Sequence, residues 1–264
     1  MNCREMRSGP AGTPAATNPT VFSVPLIPHP EGVEPARHHK APSRKGTGRS
    51  SSHGEIALNR DAMFEVWREN TCHIVSESYF YKTLTYYTIL RHELEGRTVF
   101  PASRTVLDAS VVPVCLEKAR LAGIPVCEWG ISQGFTPLPT ILYGLNYYAT
   151  ASEYRVVSDS DEAKEAVRHI TNKGKYPFCY QPLEEGAAIQ TCTSVFGRAP
   201  AAGREVEEIA RRVYELYSLP LVNLVMVHDT RGYRLSSLSA ARYSHMTPEE
   251  RALLSAYISH QEFL

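Results

Sequence analysis

The side chains best spaced for chemistry lie in the second half of the sequence. Gln181 closes an apolar run and is followed by Pro182, Leu183, the acid pair Glu184 and Glu185, and Gly186. An amide and two carboxylates around a glycine turn can donate and accept hydrogen bonds to a polar ligand. Asp229 opens the turn Asp229-Thr230-Arg231-Gly232, and Arg242 comes after the apolar run that follows. A guanidinium there suits a phosphate or a carboxylate. Each of these has a plainer reading: Gln181 pairing with backbone at a strand end, a solvated Glu184–Glu185 turn, a surface Arg242. Cysteine catalysis needs a thiolate beside a base. Cys179 and Cys192, with His169 or His228, carry no local signature for it, so buried structural cysteine is the favoured reading. Tyr79, Phe80, Tyr81, Tyr86 and Tyr87 could stack on bases, but their helical spacing favours packing. Arg91, His92 and Arg97 are neighbouring cations that no spacing rule singles out.

The elements that must position these residues follow from periodicity. Residues 79–95 place Phe80, Leu84, Tyr87, Leu90 and Leu94 at three- and four-residue steps, one apolar helix face expected to pack inward, and Gly96 stops that helix. Residues 72–75 and 97–101 read as short strands, 111–122 as a helix ended by Gly123, and 124–129 as extended chain. Residues 138–145 and 154–157 read as strands. Residues 161–171 put Ala163, Ala166, Val167 and Ile170 on one helical face, with acids in the first turn where the helix dipole favours them. Two strands follow, 176–181 and 188–196. A closing helix, 205–218, carries Val206, Ile209, Val213 and Leu216 on one side, and residues 221–227 and 233–238 form a hairpin. The expected core contains Leu116, Ile141, Val167, Ile170, Ile189, Val213, Val225 and Leu235. Helices and strands alternate with hairpins toward the end, an α+β pattern without an internal repeat.

The chain of 264 residues has room for one large domain or two small ones with a tail. Residues 1–55 are rich in Pro, Gly, Ser and Ala and poor in periodic apolar residues, so a disordered tail is expected there. Within it, residues 20–27 could dock as an edge strand, and the basic group around His38, His39 and Lys40 reads as solvated. The rest divides into an N-terminal α/β segment, 56–110, and a larger domain, 111–264. Formal net charge is zero, which argues against a nucleic-acid or membrane partner. The six cysteines show neither a CxxC pair nor zinc-site spacing, and point to a reducing, cytoplasmic compartment. No apolar run nears the roughly 18 residues that span a bilayer, and the N-terminus lacks the apolar stretch of a secretory signal.

Four segments come in a telling order. They are LEKARLAGIPV at 116–126, LPTILY at 138–143, YRVVSDSDEA at 154–163 and YPFCYQPLEEG at 176–186, with the helix and hairpin after them. Over residues 101–245 this order resembles the ATP-grasp superfamily of carboxylate–amine and carboxylate–thiol ligases. The resemblance implies two α/β lobes with a largely antiparallel sheet, facing across a cleft. It implies ATP as cofactor, with Gln181, Glu184 and Glu185 on the base and ribose and Arg242 as the catalytic cation. The family reaches the phosphates with a Lys-Pro at the end of the first apolar strand; this chain has Tyr143-Gly144, and Lys118 is the last lysine before Lys164. With Gln181, Glu184 and Glu185, the resemblance sets Lys118 among the nucleotide-binding residues. The loop after Tyr143, residues 146–152, has no glycine, and Pro182 stands where the family has an acid after its Gln. Ser237 and Ser239 occupy the nearest equivalents of the family's metal-holding E-x-N. Magnesium prefers carboxylate and phosphate oxygens, so it is not expected here.

Two functions follow. The favoured one is an ATP-grasp-like pseudoenzyme that binds a small molecule or a partner protein. The alternative is an active ATP-dependent carboxylate–amine ligase drawing its ligands from Glu184, Glu185 and Asp229. The tail should be dispensable for either: deleting residues 1–55 is expected to leave the melting temperature within a few degrees, and a large drop would assign residues 20–27 a structural role.

Overall fold

The computed structural model describes residues 58–60 and 62–259. The expected tail, residues 1–55, with its candidate edge strand at 20–27, lies outside the described residues. The described chain opens with β1 (Met63–Arg68), a strand that the periodicity argument does not anticipate, paired antiparallel with β2 (Thr71–Ser76). Thr83 then caps α1 (Leu84–Leu94), its hydroxyl accepting from the Tyr86 N–H. Gly96, at a φ of 75°, turns the chain into β3 (Thr98–Phe100), which runs parallel to β2.

α1 presents the opposite face from the one its apolar spacing implies. Leu84 and Leu94 are 75% and 80% exposed, and Tyr87 is exposed too. The buried residues are Thr85, Thr88, Ile89 and His92. Polar anchors explain the rotation: Thr85 donates to Ser76 Oγ at 2.9 Å, and His92 sits between Glu65 and Arg97. Buried polar groups need partners, so the side of α1 with partners is the side that packs. Of the aromatics expected to pack here, Tyr79, in the loop before α1, is buried.

α2 (Ser103–Ser110) meets α3 (Val112–Leu121) at Val111, with Pro113 in the first turn of α3, where its missing N–H costs little. Past Gly123 the extended chain lays Val126 beside Leu235 as a parallel bridge. A four-stranded antiparallel sheet follows, built from β4 (Gly130–Ser132), β5 (Thr140–Gly144), β6 (Arg155–Val157) and β7 (Phe178–Pro182) in the order β4-β7-β5-β6. Its outer face is covered by α4 (Ser160–Ile170), which buries Leu142, Val157 and Phe178. Asp159 caps α4 by accepting from the N–H groups of Asp161 and Glu162.

A second antiparallel sheet, in the order β10-β9-β8, contains β8 (Ala188–Val195), β9 (Leu221–Asp229) and β10 (Gly232–Ser239). Between β8 and β9 runs α5 (Arg204–Tyr217), with Val206, Ile209, Ala210 and Val213 inward and Tyr217 OH donating to the Cys115 carbonyl at 2.7 Å. After a 3₁₀ turn at Tyr243–His245 comes α6 (Pro248–Ile258), opened by a capping box of Thr247 and Glu250. α6 carries Leu254 and Tyr257, which pack with Tyr243 and Met246 against Val66 and Val75 of the opening hairpin. Among the described residues no helix is long and apolar enough to cross a membrane.

Of the expected core, Leu116, Ile141, Ile170, Val213, Val225 and Leu235 are buried. Ile189 is half-buried because β8 is an edge strand, and Val167 lies at the margin of the α4 cluster. Val213→Asp is expected to cost about 3–5 kcal/mol in urea unfolding, since the new charge has no buried partner. Leu94→Lys, on the exposed side of α1, is expected to stay within about 0.5 kcal/mol. Equal damage from both would contradict the assignment of faces.

Candidate functional site

β5 and β7 pair so that Ile141 faces Gln181 and Tyr143 faces Cys179, which puts these four side chains on the sheet face away from α4. That face looks onto β10. Pairing between β10 and β9 shifts after Leu235, which opposes Met226, to Ser237, which opposes Val225; Ser236 is the extra residue of the resulting bulge. A bulge re-aims a side chain, and here both polar groups of Ser236 turn toward β7. Gln181 Nε2 donates to the Ser236 carbonyl at 2.8 Å, and Ser236 Oγ donates to Gln181 Oε1 at 2.6 Å. Tyr143 OH lies 2.7 Å from the same Ser236 Oγ. Serine has one hydroxyl proton, already given to Gln181, so the phenol must donate to Ser236. The three side chains are satisfied by one another, and Gln181 and Ser236 are 0% exposed and Tyr143 1%. Burial drives the Tyr143 phenol well above its ordinary pKa, against the opposite pull of the Ser236 and Ser237 hydroxyls. The phenol is thus a fixed neutral donor.

The loop after β5 is ordered by its own side chain. Asn146 Oδ1 accepts from the N–H groups of Tyr148 at 2.8 Å and Ala149 at 2.9 Å, while its Nδ2 donates to the Ile170 carbonyl at 2.6 Å. Lys82 Nζ donates to the Tyr147 carbonyl at 3.2 Å and sits over the Tyr147 ring. Beside this loop, residues from the chain before α1, from α2 and from the end of β10 enclose a cavity of about 110 Å³. Its polar lining includes Ser78, Ser110, Thr150, Ser152 and Ser239.

The residues singled out by sequence sit as follows. Gln181 is in the network just described. Glu184 accepts from Thr230 Oγ1 at 2.8 Å and pairs with Arg231 at 2.9 Å, and Arg231 also reaches Glu128. Glu184 thereby fastens the β7–β8 connection to the β9–β10 turn. Glu185 is exposed in that connection. Lys118 pairs with Asp108 across the α2–α3 corner. Arg242 is exposed at the N-cap of the Tyr243–His245 turn. Asp229 is paired with Arg234 in a buried contact and also accepts from the Arg231 N–H. The resemblance sets Ser237 and Ser239 nearest to the family's E-x-N; the serine that bonds Gln181 and Tyr143 is Ser236, turned by the bulge. Ser237 Oγ is buried without a hydrogen bond of good geometry, and Ser239 lines the cavity. Nothing in a linear pattern marks a bulge. Lys82 and Asn146 are loop residues that no periodicity reaches, although Asn ahead of a glycine-free loop is a turn signal. Cys179 is a buried thiol and Cys192 a half-buried one: burial pushes Cys179 up to about 12 and Cys192 to about 11, far from a nucleophilic thiolate.

No family model and no curated protein matches the chain. Solved structures do match. The chain is similar to an ATP-grasp RimK domain protein from Sphaerobacter thermophilus DSM 20745, with 16% identity and a TM-score of 0.51 over 69% of this chain and 78% of that one. It is similar to D-alanine–D-alanine ligase from Helicobacter pylori, with 11% identity and a TM-score of 0.50 over 65% of each chain. A further likeness, at 18% identity and a TM-score of 0.48, is to the ATP-grasp ligase PsnB in complex with a phosphomimetic variant of its minimal precursor, Mg and ADP. That match covers 67% of this chain and 66% of PsnB, so the chain spans just under two thirds of PsnB and of the D-alanine ligase. The chain has the ATP-grasp fold, α+β with two facing antiparallel sheets.

Gln181→Leu is expected to destabilise the protein by about 1–3 kcal/mol, because it strands the carbonyl and hydroxyl of Ser236. In a double-mutant cycle, Tyr143→Phe and Ser236→Ala are expected to couple by about 0.5 kcal/mol or more. Additive costs in that cycle would mean the phenol does not depend on Ser236.

Proposed function

We propose that this chain uses the ATP-grasp fold as a binding protein for a small molecule or a partner protein, in the cytoplasm, without acyl-phosphate chemistry. The observation that carries this reading is the closed Tyr143–Ser236–Gln181 network. It occupies the ground between the two sheets where the resemblance puts the nucleotide, with Tyr143 at the phosphate end and Gln181 at the base and ribose. Phosphoryl transfer needs a cation on the moving charge and magnesium bridging β- and γ-phosphate oxygens. The end of β5 offers a neutral phenol in place of an ammonium. β9 is free of acids from Leu221 to its last residue, Asp229, and Asp229 is held by Arg234. Loop N–H groups that could cradle an oxyanion are spent on Asn146. These residues do not fit a magnesium-bridged triphosphate, and opening the network to admit one would strand buried polar atoms. The five free cysteines among the described residues support a reducing compartment.

The second reading is an ATP-dependent carboxylate–amine ligase. Its support is that the similar Helicobacter pylori protein is a ligase, and that Glu185 and Arg242 are exposed. Calorimetry with ATP, with and without magnesium, separates the two. Weak or absent nucleotide binding that magnesium does not improve is the expected result. Tight, magnesium-dependent binding would overturn the binding-protein reading and make Glu184, Glu185 and Asp229 the first residues to substitute.

A further inference from the structure

Away from the facing sheets, three side chains from three elements converge at the margin of the β1–β2–β3 sheet. The β1–β2 register sets Glu65 opposite Ile74 and Trp67 opposite Cys72, so Glu65 and Cys72 share the face that α1 covers. α1 brings His92 to that face. A carboxylate oxygen of Glu65, the Cys72 sulfur and a His92 ring nitrogen all lie within 4.8 Å of one another. Cys72 and His92 are buried, whereas the Glu65 side chain is 35% exposed. His92 Nε2 lies 3.3 Å from Glu65 Oε2, yet it is buried and makes no hydrogen bond of good geometry. A buried imidazole nitrogen that faces a carboxylate through a charge contact alone, without an aligned hydrogen bond, is uncommon.

We propose that Glu65, Cys72 and His92 bind one zinc ion. Sulfur, imidazole and carboxylate are the ligand set zinc takes, and three protein ligands leave a fourth position for water. Ligand atoms of a tetrahedral zinc with one sulfur stand about 3.3–3.6 Å apart, given bond lengths of about 2.0–2.3 Å. His92 Nε2 and Glu65 Oε2 are already 3.3 Å apart, so a closing movement of about 1 Å toward the Cys72 sulfur completes the set. Glu65, on an edge strand and open to solvent, leaves the water position accessible. The charges balance: thiolate and carboxylate neutralise the ion beside a neutral imidazole. On binding, Cys72 loses its thiol proton to solvent and its sulfur bonds to zinc. A thiol must deprotonate to ligate zinc, so zinc uptake is coupled to proton release.

Arg97 sets the resting form. Its Nη1 faces His92 Nδ1 at 3.0 Å, so Nδ1 accepts and the ring proton sits on Nε2. Zinc needs the Nε2 lone pair, which moves that proton to Nδ1 and releases Arg97. The guanidinium is half-exposed and already pairs with Glu95 at 2.9 Å, so it has somewhere to go. A thiolate site excludes magnesium, which keeps to oxygen ligands. The ion would tie the β1–β2 hairpin to α1 whichever function the facing sheets perform.

The test uses the full chain stripped of metal and titrated with zinc chloride against a chromophoric chelator, then with cobalt for its spectrum. One equivalent is expected, with a thiolate-to-cobalt charge-transfer band and a higher melting temperature in zinc. Cys72→Ser should abolish the band, and Cys192→Ser should retain it. Should Cys72→Ser fail to fold, Glu65→Gln, at an exposed position, should lower zinc affinity about tenfold or more without changing the metal-free melting temperature. Arg97→Gln should tighten zinc, because an amide oxygen can accept the Nδ1 proton. No stoichiometric binding overturns the proposal. So does zinc binding unchanged in Glu65→Gln, the result expected if His38 and His39 of the N-terminal segment hold the metal instead.

Discussion

The two antiparallel sheets are held face to face by a chain of donors with no slack in it. Tyr143 gives its proton to Ser236, Ser236 gives its proton to Gln181, and the amide of Gln181 returns to the Ser236 carbonyl. Each buried group left without its partner would cost about 1–3 kcal/mol, against a total stability of about 5–15 kcal/mol for an ordinary domain. The arrangement needs Ser236 turned out of the β10 ladder, so it needs the bulge. The bulge is flanked by Leu235, whose N–H donates to the Pro125 carbonyl and whose carbonyl accepts from the Cys127 N–H, both at 2.9 Å. The extended segment after α3, the β10 bulge and the inner face of β5 and β7 are therefore mutually dependent.

The same accounting of polar groups decides packing elsewhere. α1 has an apolar stripe and leaves it in water, because Thr85 and His92 on the other side have partners in the sheet. At the β9–β10 turn, Asp229 pairs with Arg234 in a buried contact and Glu184 pairs with Arg231. Arg231 and Glu184 are both at least a third exposed, so their pair adds little stability and mainly fixes geometry. Asp229 and Arg234 are both buried, and removing either would leave an uncompensated charge.

Much of the chain was legible before its structure. The spacing of Val206, Ile209 and Val213 specifies α5 and its inward face, and the apolar runs around Asp229-Thr230-Arg231-Gly232 specify the terminal hairpin. The order of segments identifies the fold although no single segment is distinctive. Periodicity misleads at α1, where Leu84, Tyr87 and Leu94 satisfy the pattern and face solvent, because hydrophobic spacing carries no information about hydrogen-bond partners. α6 carries a sequence signal of its own: Thr247, Pro248 and Glu250 are a capping box with proline at the first helical position. At the candidate site, Gln181 and Tyr143, each at the end of an apolar run, are visible in sequence. Ser236 is not, since a bulge is a property of pairing between strands. The Glu65–Cys72–His92 cluster is invisible for a similar reason: its members are spread over 28 positions of sequence and meet only through strand register and a helix face.

The packing of α6 against the opening hairpin has a temporal side. Val66 and Val75 are sheltered by Tyr243, Leu254 and Tyr257, residues made nearly two hundred positions later. A ribosome adds about 5–20 residues per second, so for roughly 10–40 seconds of synthesis the hairpin exists without its cover. During that interval the apolar face of Val66 and Val75 is open to chaperones and to neighbouring nascent chains. A message cut short before codon 243 would make that condition permanent, and its product would carry a bare β-face that quality-control machinery reads as unfinished.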